Sequence, residues 1–275
     1  MEIKTMHEAI TAGGGLVLLG CGQMGSAMLA GWLNGGLAPS QVWVVEPRPS
    51  DWLKGAGVHL NEPLPAPPAI VLIAVKPQMM GEALPVLKAL GNGRTLFLTV
   101  AAGTTIATYE AVLGAGTPII RAMPNTPAAI GRGITAIIGN ANASGFHLDL
   151  AEGLLSAVGL VERLEGEHQM DAVTAVSGSG PAYVFHLIET LAAAGVAEGL
   201  PADLALRLAR ATVAGAGALA EKSDQAPGQL RVNVTSPGGT TAAALDVLMN
   251  AETGFPALLR RAVHAAAERG RELGK

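Results

Sequence analysis

The chain has a single cysteine, Cys21, so it forms no internal disulfide, the pattern of a protein kept in a reducing, cytoplasmic compartment. Aromatic side chains are equally scarce: four Phe, three Trp and two Tyr among 275 residues, which leaves small aliphatic residues to build the core. Charged residues make up 15% of the sequence and hydrophobic residues 49%, the reverse of a disordered chain. Eighteen Lys and Arg stand against 22 Asp and Glu, a net charge of -4 with no basic cluster, so the electrostatic footprint of a nucleic-acid-binding protein is missing.

Charge is absent altogether from Ala9 to Val45, yet no membrane span follows. The stretch is interrupted by Gly13 to Gly15, Gly20, Gly22, Gln23, Asn34, Gly35, Gly36 and Pro39, and never holds the roughly 20 consecutive apolar residues a span requires. The first residues carry Glu2 and Glu8 against Lys4, so no signal peptide is expected, and residues 1–14 have no assigned role. No group of His, Cys, Asp and Glu has metal-ligand spacing, and no metal is expected.

What is present is alternation. Short apolar runs, "LVLLG" at 16–20, "VWVV" at 42–45, "AIVLIAV" at 69–75, "TLFLTVAA" at 95–102 and "PIIRAM" at 118–123, are separated by helical patterns such as Met24 to Leu33 and Met79 to Leu90. Strands apolar throughout and spaced by helices predict a mostly parallel, doubly wound sheet covered on both faces. "GITAIIG" at 133–139 and "GLVERL" at 159–164 extend that sheet, with a helix at about 147–157 between them. Beyond 165 only long helical patterns remain, at about 167–197, 201–221, 239–250 and 254–272, with Pro201 as a first-turn proline. The reading is an α/β Rossmann-type domain at 1–164 followed by an all-α domain at 165–275 that binds substrate and dimerises. The small-residue run "AGAGALA" at 214–220 implies helices in very close contact, and a subunit interface is one place for it.

Gly20, Gly22 and Gly25 in "LVLLGCGQMG" have the G-x-G-x-x-G spacing, after a strand and opening a helix. One glycine makes the tight turn, one admits the pyrophosphate of a dinucleotide to the backbone, and one lets helix and strand pack closely. The helix amino terminus offers unpaired N–H groups to the phosphates. Glu46 ends the second strand, where an acid hydrogen-bonds the adenine ribose of NAD, whereas Arg48 two residues on suits the extra phosphate of NADP. The two point in opposite directions, and the coenzyme is read as NADPH or NADH. Lys76 closes the third strand in "AVKPQ", and the small residues of "VAAG" at 100–103 let a nicotinamide ring lie near the backbone.

A dehydrogenase acting on an alcohol needs a general base. The lysines are only Lys4, Lys54, Lys76, Lys88, Lys222 and Lys275, none in a catalytic-looking motif, and "SGSG" at 177–180 does not follow a strand as a nucleophile elbow does. Reduction of a protonated C=N bond asks less: hydride from a positioned nicotinamide, orientation and a hydrogen bond to nitrogen.

Five stretches together resemble one family, pyrroline-5-carboxylate reductase: "GCGQMG" at 20–25, "AVKP" at 74–77, "RAMPNTPA" at 121–128, "AVSGSGPAYVF" at 175–185 and "LRVNVTSPGGTTAAAL" at 230–245. The resemblance implies NAD(P)H-dependent reduction of 1-pyrroline-5-carboxylate to L-proline, the last step of proline biosynthesis, with NADPH the usual donor. It implies a homodimer with active sites at its interface, often assembled into a decamer of five dimers. By position it assigns cofactor contacts to Gly20, Cys21, Gly22, Gln23, Met24 and Gly25, to Ala74, Val75, Lys76 and Pro77, to Val100, Ala101 and Ala102, and to Asn233. Substrate contacts fall on Ser236, Gly239, Thr240 and Thr241, and on Glu167. This sequence departs from the family pattern at Glu46, where a neutral residue is more frequent, at "APG" 226–228 in place of His-Pro-Gly, and at Val232 in place of Asp.

In "VTSPGGTTAAAL" at 234–245, Pro237 ends one segment and the two glycines leave the next turn bare, so backbone N–H groups at a positive helix end suit a small carboxylate. Thr241 is the choice for the hydrogen bond to the ring nitrogen. The competing structural reading is a helix break with a threonine cap. Two other functions stay open: a β-hydroxyacid or 6-phosphogluconate type dehydrogenase, whose lysine would have to come from the second domain, and a non-catalytic cofactor-binding relative.

Overall fold

The computed structural model describes residues 3–274. The strands are β1 (Leu16–Leu19), β2 (Val42–Val45), β3 (His59–Leu60), β4 (Ile70–Ile73), β5 (Leu96–Thr99), β6 (Ile119–Met123), β7 (Gly133–Gly139) and β8 (Gly159–Arg163). They form one sheet in the order β3-β2-β1-β4-β5-β6-β7-β8, parallel at every pairing except β6 with β7. The helices between them are α1 (Ile3–Ala12), α2 (Gln23–Asn34), α3 (Asp51–Lys54), α4 (Met80–Ala83), α5 (Ile106–Leu113) and α6 (Gly145–Leu155).

Unbroken apolar strands are explained by cover on both sides. Leu16 and Leu18 of β1, Ile70 and Leu72 of β4, and Leu96 and Leu98 of β5 share one core with Met28, Leu29 and Trp32 of α2 and with Leu150 and Leu154 of α6. Their neighbours Val17, Leu19, Val71, Ile73 and Phe97 share the other with Leu87 and with Tyr109 and Leu113 of α5. Trp32, fully buried, still satisfies its indole N–H by donating to the Leu154 carbonyl at 2.8 Å.

Two anticipated helices change, and the segment without an assigned role gains a structure. The helix anticipated over Met79 to Leu90 is a turn at Pro77–Met79, the short α4 and a 3₁₀ segment at Pro85–Leu90, because Pro85 lacks the N–H that a continuous helix needs. Residues 3–12 form a helix that buries Met6 and Ile10 beside α6, where Met6 lies against Gly153. The helix anticipated over 167–197 starts as a 3₁₀ turn at Glu167–Gln169, continues through α7 (Met170–Val173) into a π segment at Thr174–Gly178, and only then becomes α8 (Gly180–Ala197).

By compactness the first unit runs to Gly178 and takes in the residues from Ala267 on, while Ser179–Ala266 form the second. The first unit outlasts residue 164, the end of the strand pattern, because 167–178 is tied back to it. Glu167 bonds Ile106 and Arg121, Asn125 donates to the Ser177 carbonyl at 3.2 Å, and Gly178 sits against Met123.

The second unit is helical: α8, α9 (Ala202–Lys222), α10 (Pro227–Asn233), α11 (Thr240–Leu248) and α12 (Phe255–Leu273), the last of which ends in the first unit. Pro201 caps α9 from outside its first turn. Ala205 and Ala209 are buried, and a side chain at Gly195 would meet Ala205, so α8 and α9 pack tightly. In the run at 214–220, nothing among the described residues lies within 4 Å of the Cβ positions that side chains at Gly215 and Gly217 would have. Phe185, Leu191, Leu208, Leu219, Val247, Leu258 and Leu259 are exposed, far more apolar surface than a monomeric helical unit normally shows. Among the described residues no helix is long and apolar enough to cross a membrane.

Candidate active site

The strand order reverses between β1 and β4, and in such sheets ligands bind beyond the carboxyl ends at that point. Backbone bonding continues one residue past the strands there: Gly20 N donates to Val45 O at 2.9 Å, Ala74 N to Leu19 O at 2.8 Å and Val100 N to Ile73 O at 3.1 Å. The three expected cofactor segments therefore lie side by side at one sheet edge.

The glycines separate into three roles. Gly20 has φ +88, and a Cβ on it would lie 2.9 Å from the Val75 side chain and 3.0 Å from the Ala74 carbonyl group. A Cβ at Gly25 would lie 2.4 Å from the Gly20 carbonyl oxygen, a backbone atom with nowhere to move, so this glycine sets the approach of α2 to β1. At Gly22 nothing lies within 4 Å. Gly22 is the N-cap of α2 and offers no side chain to the helix's first N–H groups, which leaves them and the space beside them for an anion. Gln23 is exposed at the start of α2, and Met24 packs against the core.

Glu46 is woven into this loop. Its Oε2 accepts from the Cys21 N–H at 2.8 Å and its Oε1 from the Arg48 N–H at 3.0 Å. Asn61, a residue no sequence motif singled out, clasps the Glu46 backbone: its Oδ1 accepts from Glu46 N at 2.9 Å and its Nδ2 donates to Glu46 O at 3.0 Å. Burial, aided by the Glu46 charge, pushes the Cys21 thiol up to about 11, so it stays protonated at neutral pH. Arg48 and Lys76 are exposed. Ala101 is buried and Ala102 half-buried, and Ala102 lines a cleft of about 440 Å³ with Pro77, Gln78, Gly103, Thr104 and Leu273.

Over 266 residues the chain is 38% identical to the pyrroline-5-carboxylate reductase of Pseudomonas aeruginosa, across 94% of this chain and 97% of the relative. The chain belongs to the pyrroline-5-carboxylate reductase family. The enzyme of that name from Synechocystis sp. is 41% identical over 94% of this chain and 98% of its own. A family model described as pyrroline-5-carboxylate reductase dimerisation matches residues 167–273, and one described as NADP oxidoreductase, coenzyme F420-dependent, matches 16–103. Among solved structures, the pyrroline-5-carboxylate reductase of Coxiella burnetii gives a TM-score of 0.88 at 34% identity, covering 96% of this chain and 99% of that one. The Plasmodium falciparum enzyme with NADP bound gives 0.81 at 30% identity, covering 95% and 98%. As a member of this family the chain is an NAD(P)H-dependent oxidoreductase with a Rossmann-type first domain and a helical region of the dimerisation type.

The substrate residues expected in the family's glycine turn lie in the second unit. Gly238 has φ +68, Gly239 N donates to Ser236 O at 3.0 Å, and Gly239 is the N-cap of α11 with no side chain over the first N–H groups. A threonine cap is thus not what starts this helix. Thr240 and Thr241 are its first two residues, and among the described residues neither they nor Ser236 use their hydroxyls in a hydrogen bond within the chain. Asn233 is committed locally: it donates to Gln225 Oε1 at 2.8 Å and accepts from Gln229 Nε2 at 2.9 Å. Glu167 lies in the first unit, its Oε1 accepting from Arg121 Nη1 at 2.7 Å and from the Ile106 N–H at 2.9 Å. Among the described residues no group of acids, His and Cys is placed to hold a metal.

Proposed function

We propose that the chain reduces the C=N bond of 1-pyrroline-5-carboxylate to give L-proline, with Gly20–Gly25, Ala74–Pro77 and Val100–Ala102 holding NAD(P)H and the Ser236–Thr241 turn holding the imine. The observation that carries this reading is a pair of helix amino termini, at Gly22 and Gly239, each opened by glycine and bare of any capping side chain. Each presents unpaired N–H groups and the positive helix end to an anion, the pyrophosphate at α2 and the ring carboxylate at α11.

The residues present fit a dinucleotide: the open space at Gly22 admits its phosphates, and Glu46 stands ready to accept from ribose hydroxyls. Bound there, the reduced nicotinamide supplies the hydride. The chain supplies the rest. The Thr241 hydroxyl, free of partners among the described residues, hydrogen-bonds the ring nitrogen and keeps the imine oriented. Thr240, Ser236 and the N–H groups behind Gly239 fix the carboxylate. No group of the chain needs to take a proton from the substrate, since an iminium arrives protonated and leaves as an amine. A hydroxyacid-type oxidation would need a base instead, and Lys222 is the only lysine in the second unit, on the last turn of α9. An inactive relative would be expected to have lost the SPGGTT turn.

Glu46 favours NADH in this reading, since a carboxylate accepts from the ribose 2′-hydroxyl and repels a 2′-phosphate. The helical unit makes a homodimer the minimal assembly, with the bare face at Gly215 and Gly217 and the exposed leucines covered by a second copy; sedimentation velocity distinguishes a dimer from a decamer of five dimers. Initial rates with the pyrroline and each coenzyme test the function. Oxidation of either coenzyme upholds it, and none with both refutes it.

A further inference from the structure

Among the described residues Arg121 is the one arginine that is almost fully buried, on β6 and on the face where α5 packs. Its guanidinium donates to Glu167, and the same carboxylate oxygen accepts the N–H of Ile106, the first residue of α5. The carboxylate therefore sits at a helix amino terminus, where both the unpaired donor and the dipole favour it, and its charge is offset by a buried cation. Thr105 supplies the ordinary cap, accepting from the Thr108 N–H at 3.3 Å. Below this, the Tyr109 and Thr99 hydroxyls, both buried, meet at 2.5 Å, and the Tyr109 hydroxyl also reaches the Thr104 side chain. Thr99 in turn receives the Ala101 N–H at 3.4 Å.

These bonds grip the β5–α5 connection on both sides of its turn: Thr99 and Ala101 before Gly103, Thr104 and Ile106 after it. What lies between is the backbone assigned to the nicotinamide. We propose that Glu167 and Arg121, with Tyr109 and Thr99 beneath them, are positioning residues that hold the Val100–Thr104 turn at the height and tilt from which the nicotinamide faces the substrate. This rests on the coenzyme reading above and gives Glu167 a role other than the substrate contact that the resemblance implies, a difference the kinetics below read out. A carboxylate that already accepts from Arg121 and Ile106 acts through the loop it anchors, and a misplacement of about 1 Å in such a loop is enough to cost a hydride transfer up to 100-fold.

The test uses the full-length oligomer and the variants Glu167→Gln, Arg121→Met, their double and Tyr109→Phe. Expected for Glu167→Gln is a fall in kcat of about 10- to 100-fold with KM for the pyrroline within about twofold of the parent. Its affinity for NADH should drop relative to that for ADP-ribose, which lacks the nicotinamide. The double variant should be no worse than the worse single, because one unit is being removed. A raised pyrroline KM at unchanged kcat would overturn the proposal in favour of substrate contact. Equal losses of NADH and ADP-ribose affinity, or a lowered melting temperature with unaltered kinetics, would overturn it in favour of a purely structural role. Should Glu167→Gln fail to fold, Tyr109→Phe decides, since it deletes one oxygen and must shift kcat and the NADH to ADP-ribose ratio in the same direction. If the parent does not turn over the pyrroline, the proposed function fails while the affinity ratio still decides the positioning role.

Discussion

The Glu46 carboxylate accepts the backbone N–H of Cys21 at 2.8 Å, so the acid at the end of β2, proposed above as the partner of the coenzyme's ribose, is a structural strut of the glycine loop. Replacing it with Ser removes both the strut and the negative charge. Absolute rates with NADH should fall, while the ratio of kcat/KM for NADPH over NADH should rise by about 10- to 100-fold, because a 2′-phosphate no longer faces a carboxylate and Arg48 remains beside it. Paired initial-rate measurements read the ratio directly. An unchanged ratio would confine Glu46 to its strut role.

The same substitution at two glycines of one motif should fail in two different ways. Gly22→Ala adds a methyl group to open space at φ -71, a conformation any residue adopts, so the free protein should keep its melting temperature while coenzyme affinity falls at least about tenfold. Gly25→Ala drives a Cβ to 2.4 Å from the Gly20 carbonyl oxygen and must push α2 off the sheet, a cost of about 1–3 kcal/mol even without coenzyme. Calorimetry of the free and coenzyme-bound variants separates the two. Equal destabilisation of the free proteins would mean that Gly22 too is held by packing.

Much of this was readable in advance, and the reasons differ by element. The strands of the parallel sheet stand out because both faces are covered, so no polar position interrupts Leu16–Leu19 or Ile70–Ile73. The glycine loop stands out because its spacing follows from phosphate geometry. By contrast β3 is two residues long and α3 a single turn, too short for any periodicity, and α10 begins at Pro227, between the helices anticipated at 201–221 and 239–250. The first unit's extension to Gly178 depends on contacts such as Glu167 with Ile106, 61 residues apart, which local pattern cannot register. One signal for that network was in view: a lone arginine inside the apolar run "PIIRAM" needs a buried acidic partner, and Glu167 is the partner. Nothing comparable marked Asn61, whose φ of +54 and paired bonds to Glu46 emerge only once β2 and β3 lie side by side.

Cys21 lies in the glycine loop, yet its thiol should be a poor nucleophile. Burial and Glu46 push it above the ordinary thiol range, up to about 11, so at any pH below 9 the thiolate fraction is lower by about 100-fold than for an unperturbed thiol, and alkylation slows in proportion. Iodoacetamide labelling followed by mass should therefore be slow at pH 8 and keep accelerating up to about pH 11. In Glu46→Ser the repelling charge is gone, and labelling at pH 8 should be faster. A plateau near pH 9 in the parent would show that the thiol is not shielded as the structure indicates.

Thr240 and Thr241 open α11 together, and chemistry separates them only if their hydroxyls have different duties. Valine is the informative replacement, since it keeps the branched shape and removes only the oxygen. An iminium nitrogen has no lone pair to accept with, but it gains one as hydride adds to carbon; if the Thr241 hydroxyl donates to that developing lone pair, Thr241→Val should lower kcat by about 10- to 100-fold and leave coenzyme affinity unchanged. If Thr240 serves the carboxylate, which does not change during the reaction, Thr240→Val should raise KM for the pyrroline about tenfold at nearly constant kcat. The free hydroxyls make both changes mild for folding: neither has an internal partner to lose among the described residues. Similar KM and kcat effects in the two variants would mean that the threonines act as one surface, and the hydrogen bond to nitrogen would then have to be sought from the backbone N–H groups behind Gly239.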